Sequence, residues 1–224
     1  LTIKEKWEHY YKDVSTKAED YLNDKFNLNI SSDNLWIDSQ VLPTDDLIIE
    51  LNNLREGEGL ISNDIVIGFR YGDFNFEKIN FIKSNANILM LEKMVDLFYK
   101  LNVQVKNDFE LLTKGKESEK IDDSNTLIGN NIFIEKGAKI SSSILNSETG
   151  PIYIGKNAEI MEGSIIRGPF SLSENSVVKM GAKIYGPTSI GPNCKVGGEI
   201  NNSVFFSFSS KAHDGFLGNS IIGE

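Results

Sequence analysis

One spacing dominates the second half of the chain: an aliphatic residue recurs at every sixth position. The eight members of this series are Ile154, Ile160, Ile166, Leu172, Val178, Ile184, Ile190 and Val196. Since 40% of the residues are hydrophobic, eight hits in one chosen frame would arise by chance roughly seven times in ten thousand. A helix repeats at about 3.6 residues and an ordinary strand at about two. A period of six therefore predicts a short flat side that turns and starts again.

The residue two before each aliphatic position is mostly small, which suits a tight corner. These residues are Ala158, Ser164, Ser176, Ala182, Thr188 and Cys194, with Phe170 as the bulky exception. Three such sides make one coil, and stacked coils place parallel strands about 4.8 Å apart around an aliphatic core. The pattern predicts a parallel β-helix, in which Cys194 packs at a corner and is not a nucleophile.

The repeat slips twice along the chain. An earlier coil is predicted to point Ile128, Ile134 and Ile140 inward, and the coil after the second slip Val204, Phe216 and Ile222. The second slip is absorbed near residues 205–215. Because regular coils serve packing, an irregular loop in a solenoid is where function tends to lie.

The first half carries mixed helix and strand signals, and a polar, charged run at residues 114–124 is typical of a linker. Helices are expected at Trp7 to Val14, after a capping box at Thr16 to Glu19, and from Pro43 through Leu54. Strands are expected at residues 34–37 and 64–71. This alternation predicts an α/β layer.

Composition excludes several classes of protein. A net charge of -9 and a pI near 4.9 disfavour nucleic acid as a partner, since its phosphates would be repelled. One Cys excludes a disulfide framework, and no apolar run of about 18 residues or signal peptide is seen, so no membrane span is expected. A cytoplasmic location is the expectation.

Few residues can be identified as catalytic or metal-binding candidates from their sequence context alone. Asp45 and Asp46 lie in the first turn of a predicted helix, where capping is favoured over magnesium binding. His9 lies on the polar side of a helix and is expected to be a surface residue. His213 lies in the irregular loop, where it is either a solvated residue or a general base.

The segment from Ser210 to Asn219, followed by Ile222-Gly223, resembles a known active-site loop. Its pattern is Ser-Lys-Ala, His, two residues, an aromatic residue, Leu-Gly and an acid or amide. The chain resembles the bifunctional N-acetylglucosamine-1-phosphate uridyltransferase and glucosamine-1-phosphate N-acetyltransferase family. The resemblance to a divergent bacterial branch of this family is closer, and residues 150–155, 179–186 and 195–199 carry it. The implied fold class is an α/β N-terminal part followed by an all-β left-handed parallel β-helix of hexapeptide repeats.

The resemblance also implies a domain organisation. Residues 1–112 would be a partial sugar-nucleotidyltransferase-like α/β domain, 113–125 a linker, and 126–224 an acyltransferase-like β-helix that is truncated at its C-terminus. The glycine-rich nucleotide-binding loop of the family is not found in residues 1–112. We therefore expect an internal fragment of a longer protein, which alone would not transfer nucleotides.

The family's acetyl transfer assigns roles to the loop and its surroundings. His213 would be the general base that takes a proton from the attacking amine, with Asp214 as a second-line candidate to orient it. The substrate-binding candidates are Lys183, Arg167, Asn201, Lys211, Phe216 and Asn219. Four of them depart from the family pattern: Phe216 replaces Tyr, Lys183 replaces Arg, Asn201 replaces Lys and Asn219 replaces Asp. These changes alter phosphate recognition more than the reaction class.

The resemblance implies an enzyme of sugar-nucleotide biosynthesis that supplies a cell-wall precursor. It would acetylate an amino sugar phosphate such as glucosamine-1-phosphate from acetyl-CoA, and make UDP-N-acetylglucosamine or a related product from a nucleoside triphosphate. Mg²⁺ is expected for the nucleotidyltransferase half, and a homotrimer for the assembly. Later coils and a neighbouring subunit would bind coenzyme A. Two alternatives remain: a nucleotidyltransferase whose β-helix only oligomerises or regulates, and a noncatalytic hexapeptide-repeat scaffold.

Overall fold

A computed structural model describes residues 1–223, which form two compact units, one at Leu1–Glu92 and a second that begins at Lys93. A helix at Leu101–Thr113 packs against strands of the second unit and therefore belongs to it. The domain boundary expected at residue 112 stays a prediction. No helix within residues 1–223 combines the length and the apolar character needed to cross a bilayer.

The first unit combines two helices with two small sheets. Its elements are α1 (Ile3–Glu8), β1 (Leu35–Ile37), β2 (Val41–Leu42), α2 (Asp45–Asn52), β3 (Glu58–Ser62), β4 (Ile65–Arg70), β5 (Asn80–Lys83) and β6 (Leu89–Met90). The larger sheet has the order β1-β4-β3-β5, in which only the β3–β5 pair is parallel, and β2 pairs with β6 in antiparallel fashion. The strands predicted at residues 34–37 and 64–71 are thus confirmed.

The core of the first unit forms between α1, α2 and the sheet strands. Val41, Leu47, Leu51 and Ile67 are all at most 1% exposed. Trp7 packs with this cluster, and its Nε1 donates a hydrogen bond to the Val41 carbonyl at 3.0 Å. Helix α2 begins as predicted, with Thr44 Oγ1 accepting from the Leu47 amide.

The capping box predicted at Thr16 to Glu19 is wrong. Residues 20–22 form only a short 3₁₀ turn without a side-chain cap, and Tyr21 is 82% exposed. Without an apolar face to bury, a short helix has little to stabilise it. A capping box occurs instead at Thr2, whose hydroxyl accepts from the Glu5 amide at 3.2 Å while the Glu5 carboxylate accepts from the Thr2 amide at 2.6 Å.

The second unit begins with two helices, α3 (Asp96–Tyr99) and α4 (Leu101–Thr113), and continues in short strands. The strands are β7 (Thr126–Ile128), β8 (Ile132–Ile134), β9 (Lys139–Ile140), β10 (Ile144–Asn146), β11 (Ile152–Ile154), β12 (Glu159–Ile160), β13 (Ile165–Arg167), β14 (Phe170–Leu172), β15 (Val177–Val178), β16 (Lys183–Tyr185), β17 (Thr188–Ile190), β18 (Lys195–Val196), β19 (Glu199–Asn201), β20 (Val204–Phe205), β21 (Ser210–Lys211), β22 (Phe216–Gly218) and β23 (Ile221–Ile222).

These strands stack into three parallel sheets, which form the three sides of a parallel β-helix. The first side has the order β7-β10-β13-β16-β19-β22, the second side β8-β11-β14-β17-β20-β23 and the third side β9-β12-β15-β18-β21. Every pairing in them is parallel. The fold predicted from the period of six is therefore confirmed.

The aliphatic series forms the core of this β-helix. All eight of its residues are at most 1% exposed, and the small residues two positions earlier are fully buried. Burying an aliphatic side chain of this size contributes about 1.5–3 kcal/mol relative to leaving it exposed. The repeat is thus the main source of stability in this unit.

Three of the inward positions predicted outside the regular series, Ile128, Val204 and Phe216, are wrong by one residue. The register instead places Leu127, Phe205 and Leu217 opposite the buried Leu145, Ile190 and Ile200. Phe216 is 67% exposed. After Val196 the sides that lead to Ile200 and Phe205 are shorter than six residues, so a fixed frame cannot follow the coil.

The polar run expected to be a free linker is docked on the first coil. The Glu119 amide donates to the Ile134 carbonyl at 2.8 Å, and the Ile134 amide donates to Ser118 Oγ at 2.9 Å. Ile121 packs against the β-helix core. The segment thus covers the open start of the β-helix.

Helix α4 lies against the second side, where it contacts β14 and β17. The outward residues of these two strands are Ser171 and Ser189, and such small side chains allow a helix to approach a sheet closely. Leu101 and Val105 are the buried residues of the helix. The spacing of four places them on one helical face.

The corners between the second and third sides use the left-handed backbone region. Asn157, Asn175 and Asn193 occupy this corner in three coils with φ of 56°, 55° and 58°. Asparagine adopts this conformation more readily than other side chains. Phe208 has the equivalent position in the next coil, with φ of 60°, and it is 72% exposed.

Replacing Phe208 with asparagine should therefore stabilise the protein. The left-handed conformation costs a bulky residue about 1 kcal/mol, which asparagine largely avoids, and little apolar burial is lost. Thermal or urea unfolding would measure the gain. Phe206→Asn is the control, because Phe206 is also exposed but does not have a positive φ. An equal or smaller stability in Phe208→Asn would contradict the expected strain.

Candidate active site on the first side of the β-helix

The outer face of the first side gathers four of the predicted substrate-binding residues. Inward residues such as Ile166, Ile184 and Ile200 alternate with outward ones. The outward residues include Arg167 on β13, Lys183 on β16, Asn201 on β19 and Phe216 on β22. Since neighbouring strands lie about 4.8 Å apart, this set spans about 14 Å.

The register orders these side chains into two columns. In one column Lys183 is opposite Glu199, and Glu199 is opposite Phe216. In the other, Tyr185 is opposite Asn201. Glu199 and Tyr185 therefore belong to the same surface. Sequence reasoning did not select them. Alternation after the inward Ile184 already indicates that Tyr185 points outward, whereas the position of Glu199 depends on the pairing of β19 with β16.

Positive charge on this face comes from Arg167 and Lys183, and both side chains are exposed. Within residues 1–223 neither forms an ion pair. Both are therefore free to meet an anion, on a chain whose net charge is -9. Each of these cations can contact a phosphate group.

His213 lies in the loop that joins β21 on the third side to β22 on the first side, beside this face. The side chain is exposed, and its ring forms no hydrogen bond with any described residue. Asp214 does not contact the ring through a hydrogen bond either. The expected orienting role of Asp214 thus has no geometric support in this arrangement.

Lys211 has a different environment from the one expected for a substrate ligand. Its ammonium donates to three backbone carbonyls, those of Gly197 at 2.7 Å, His213 at 2.8 Å and Gly215 at 2.7 Å. An ammonium has three N–H donors, and all three are used here. The ammonium of this half-buried side chain therefore has no free N–H donor for a ligand.

Asn219 lies at the corner that follows β22, with φ of 49°. The backbone amide of Asn219 donates to the backbone carbonyl of Asn201 at 3.1 Å, and the side-chain Oδ1 of Asn219 accepts from Asn202 Nδ2 at 2.7 Å. Asn202 Oδ1 is buried and has no partner among the described atoms. Asn202, which the sequence did not single out, thus fixes the direction of the Asn219 side chain.

Other groups considered from the sequence have structural roles. The thiol of Cys194 is buried, and it donates to the Phe206 carbonyl at 3.0 Å. Asp45 and Asp46 lie in the first turn of α2, where carboxylates are favourable. His9 is exposed at the C-terminal end of α1.

Three charged residues of the first unit, Arg70, Asp33 and Glu50, form hydrogen bonds within the protein. Arg70 donates to both carboxylate oxygens of Asp33, at 2.8 and 2.5 Å, and this hydrogen bonding lowers the pKa of Asp33. Glu50 accepts from Ser84 Oγ and from the Asn85 amide. Across residues 1–223 no group of three or more His, Cys, Asp or Glu residues is arranged to hold a metal ion.

Comparison with known proteins bears on the first half of the chain. No curated protein matches the sequence. The sequence profile of a family described as sugar nucleotidyl transferases matches residues 1–117. This match covers the whole first unit and the helices that open the second. Since it spans more than half of the 224 residues, the protein belongs to the sugar nucleotidyl transferase family.

Proposed function

We propose that this protein acts in nucleotide-sugar biosynthesis, and that its β-helix transfers an acetyl group from acetyl-CoA to the amine of an amino sugar phosphate. Glucosamine-1-phosphate is the expected acceptor. Membership of the sugar nucleotidyl transferase family supports the first statement. The second is carried by one observation: an exposed histidine lies in a loop beside a face with two unpaired cations.

The histidine has the chemistry that this reaction needs. As the amine attacks the thioester carbonyl, the nitrogen must lose a proton, and the C–S bond breaks as the amide forms. The neutral His213 ring has one nitrogen that can accept that proton. The departing thiolate of coenzyme A then takes up a proton to become the free thiol. Since the ring has no partner among the described residues, it is available for this transfer.

The outer face of the first side would hold the acceptor. Lys183 and Arg167 would contact the phosphate, and the 67% exposed ring of Phe216 would pack against the apolar face of the sugar. Asn201 and Asn219 carry amides that can hydrogen-bond sugar hydroxyls. Lys211 is omitted from these contacts because three carbonyls already satisfy its ammonium.

The remaining parts of the proposal concern the nucleotidyl half and the assembly. A nucleoside triphosphate and the acetylated sugar phosphate would yield UDP-N-acetylglucosamine or a related precursor of the cell wall. Mg²⁺ is the cation usually bound with triphosphates. The described residues do not fit a protein-held metal centre, so no step is assigned to it. A homotrimer, with coenzyme A bound between subunits, completes the proposal.

A second candidate is a nucleotidyltransferase whose β-helix serves only assembly or regulation. It is favoured by the altered substrate positions, Phe216, Lys183 and Asn201, and by the engaged ammonium of Lys211. The two candidates differ in one measurement. Release of coenzyme A with glucosamine-1-phosphate as acceptor supports the acetyltransferase. Turnover of uridine triphosphate without any release of coenzyme A supports the second candidate.

Replacing Lys183 with glutamine should raise the KM for the amino sugar phosphate by about tenfold, because a charged hydrogen bond to phosphate is lost. The kcat should change little, since the proposed role of Lys183 is to bind the phosphate and not to act on the amine. Steady-state kinetics measures both constants. Lys195→Gln is the matched control, because Lys195 is equally exposed but lies on the third side. An unchanged KM would remove Lys183 from phosphate binding.

A further inference from the structure

Lys211 occupies a position that belongs to the β-helix core. On the third side the inward positions of successive strands are Ile140, Ile160, Val178, Val196 and then Lys211. The first four are buried aliphatic residues. A charged side chain at such a position is costly unless its hydrogen bonds are satisfied. The three backbone carbonyls that accept from the Lys211 ammonium meet that requirement.

Two of these carbonyls belong to the loop that carries His213. They are those of His213 itself and Gly215, while the third, Gly197, lies at the corner of the preceding coil. The ammonium therefore joins the loop to the coil beneath it. Gly215 has φ of 114°, which glycine adopts without steric cost but a residue with a side chain rarely adopts.

The preceding coil is shaped to admit this contact. A Cβ atom on Gly198 would lie 2.6 Å from Lys211 Nζ and 2.8 Å from the Gly215 carbonyl oxygen. Gly198 also has φ of 73°. Only glycine leaves room here for both the ammonium and the loop backbone. Gly198 is thus independent evidence that this contact shapes the corner.

We infer that Lys211 is a positioning residue, whose fixed charge sets the conformation of the loop at residues 212–215 and thereby the direction of the His213 ring. The consequence for catalysis rests on the proposed function. The effect on the loop does not, because it follows from hydrogen bonds within the protein. Loop order and acetyl transfer can therefore be tested separately.

The sharpest variant is Lys211→Met. Methionine keeps a long unbranched stem and places an apolar group where the other coils have aliphatic residues, so the coil should remain folded. The three hydrogen bonds to the loop are lost. Lys195→Met is the matched control, since Lys195 is an exposed lysine on the neighbouring strand of the same side. Gly198→Ala is a second variant, which displaces the ammonium without removing it.

The test is NMR spectroscopy and amide exchange on the whole chain. The chain has two histidines, so His9 provides an internal reference for the ring signals of His213. In Lys211→Met and Gly198→Ala we expect shifted or broadened His213 signals, and amide exchange at residues 212–215 faster by about tenfold or more. The His9 signals, the strands β11 to β18, and the Lys195→Met control should not change.

Two results would overturn the inference. Unchanged His213 signals and unchanged exchange in Lys211→Met would show that the loop does not depend on the ammonium. Loss of protection throughout β11 to β18 would show that Lys211 supports the whole coil and not the loop. In an acetyl transfer assay, Lys211→Met should lower kcat while leaving the KM for the sugar phosphate unchanged. If His213→Ala leaves turnover intact, the proposed function fails while the NMR result stands.

Discussion

Replacing His213 with alanine should lower acetyl transfer to glucosamine-1-phosphate by about 10²-fold or more, because the attacking amine loses its proton acceptor. The ring is exposed, has no internal partner and lies beside the cationic face of the first side. The rate of coenzyme A release by the protein that carries this chain is the measurement. His9→Ala is the matched control, because His9 is the other histidine and lies in the first unit.

The outcomes of this experiment separate the candidate functions. Turnover that survives His213→Ala removes the ring from the mechanism. If the unsubstituted protein releases no coenzyme A with any amino sugar phosphate, the β-helix is an assembly or regulatory element and the second candidate gains support. Because His213 is exposed and its ring supports no other residue, the variant should keep the stability of the original protein.

Replacing Phe170 with alanine should lower the free energy of unfolding of the β-helix by about 3–5 kcal/mol. Phe170 is fully buried, and its strand neighbours Ile152 and Thr188 are fully buried as well. At the equivalent position the two neighbouring coils have Ile152 and Thr188, which are both smaller than phenylalanine, so the ring fills a volume that neither of them supplies. The cavity left by alanine therefore adds to the lost transfer free energy.

The measurement must report on the second unit. Trp7 and Trp36 are the two tryptophans and both lie in the first unit, so amide exchange of strands β11 to β17 is preferred to tryptophan fluorescence. Met180→Ala is the control. With Met180 67% exposed, that change should cost less than about 0.5 kcal/mol. A similarly small loss in Phe170→Ala would mean that the core closes over the missing ring.

The regular part of the fold could be predicted because its cause is local. Each side of a coil needs one inward aliphatic residue, and each corner needs a small residue. The period of six can therefore be read from the amino-acid sequence. After Val196 this rule no longer fixes the frame, since shorter sides still form a closed coil. The inward positions of Phe205 and Leu217 depend on strand pairing, which the sequence does not display.

The candidate site shows the same limit. The outward direction of Asn201 depends on the pairing of β19 with β16. That of Arg167, which follows the inward Ile166, and of Lys183, which precedes the inward Ile184, can be inferred from alternation. The role of Lys211 could not be, because its inward position appears only when β21 is paired with β18. Likewise, the polar composition of residues 114–124 predicts a solvated segment before the first coil. Its contacts with Ile134 arise from an exposed strand edge that needs partners.

The docked residues 118–121 cover the edge of the first coil of the β-helix. A parallel coil with two bare ends could join other copies end to end and grow into a fibre, as open strand edges tend to do. Here Ser118 and Glu119 already hold hydrogen-bonding groups of the first coil, and Ile121 closes its interior. One end of the stack is thus blocked to a second molecule. A second molecule joining at this end would first have to displace Ser118, Glu119 and Ile121.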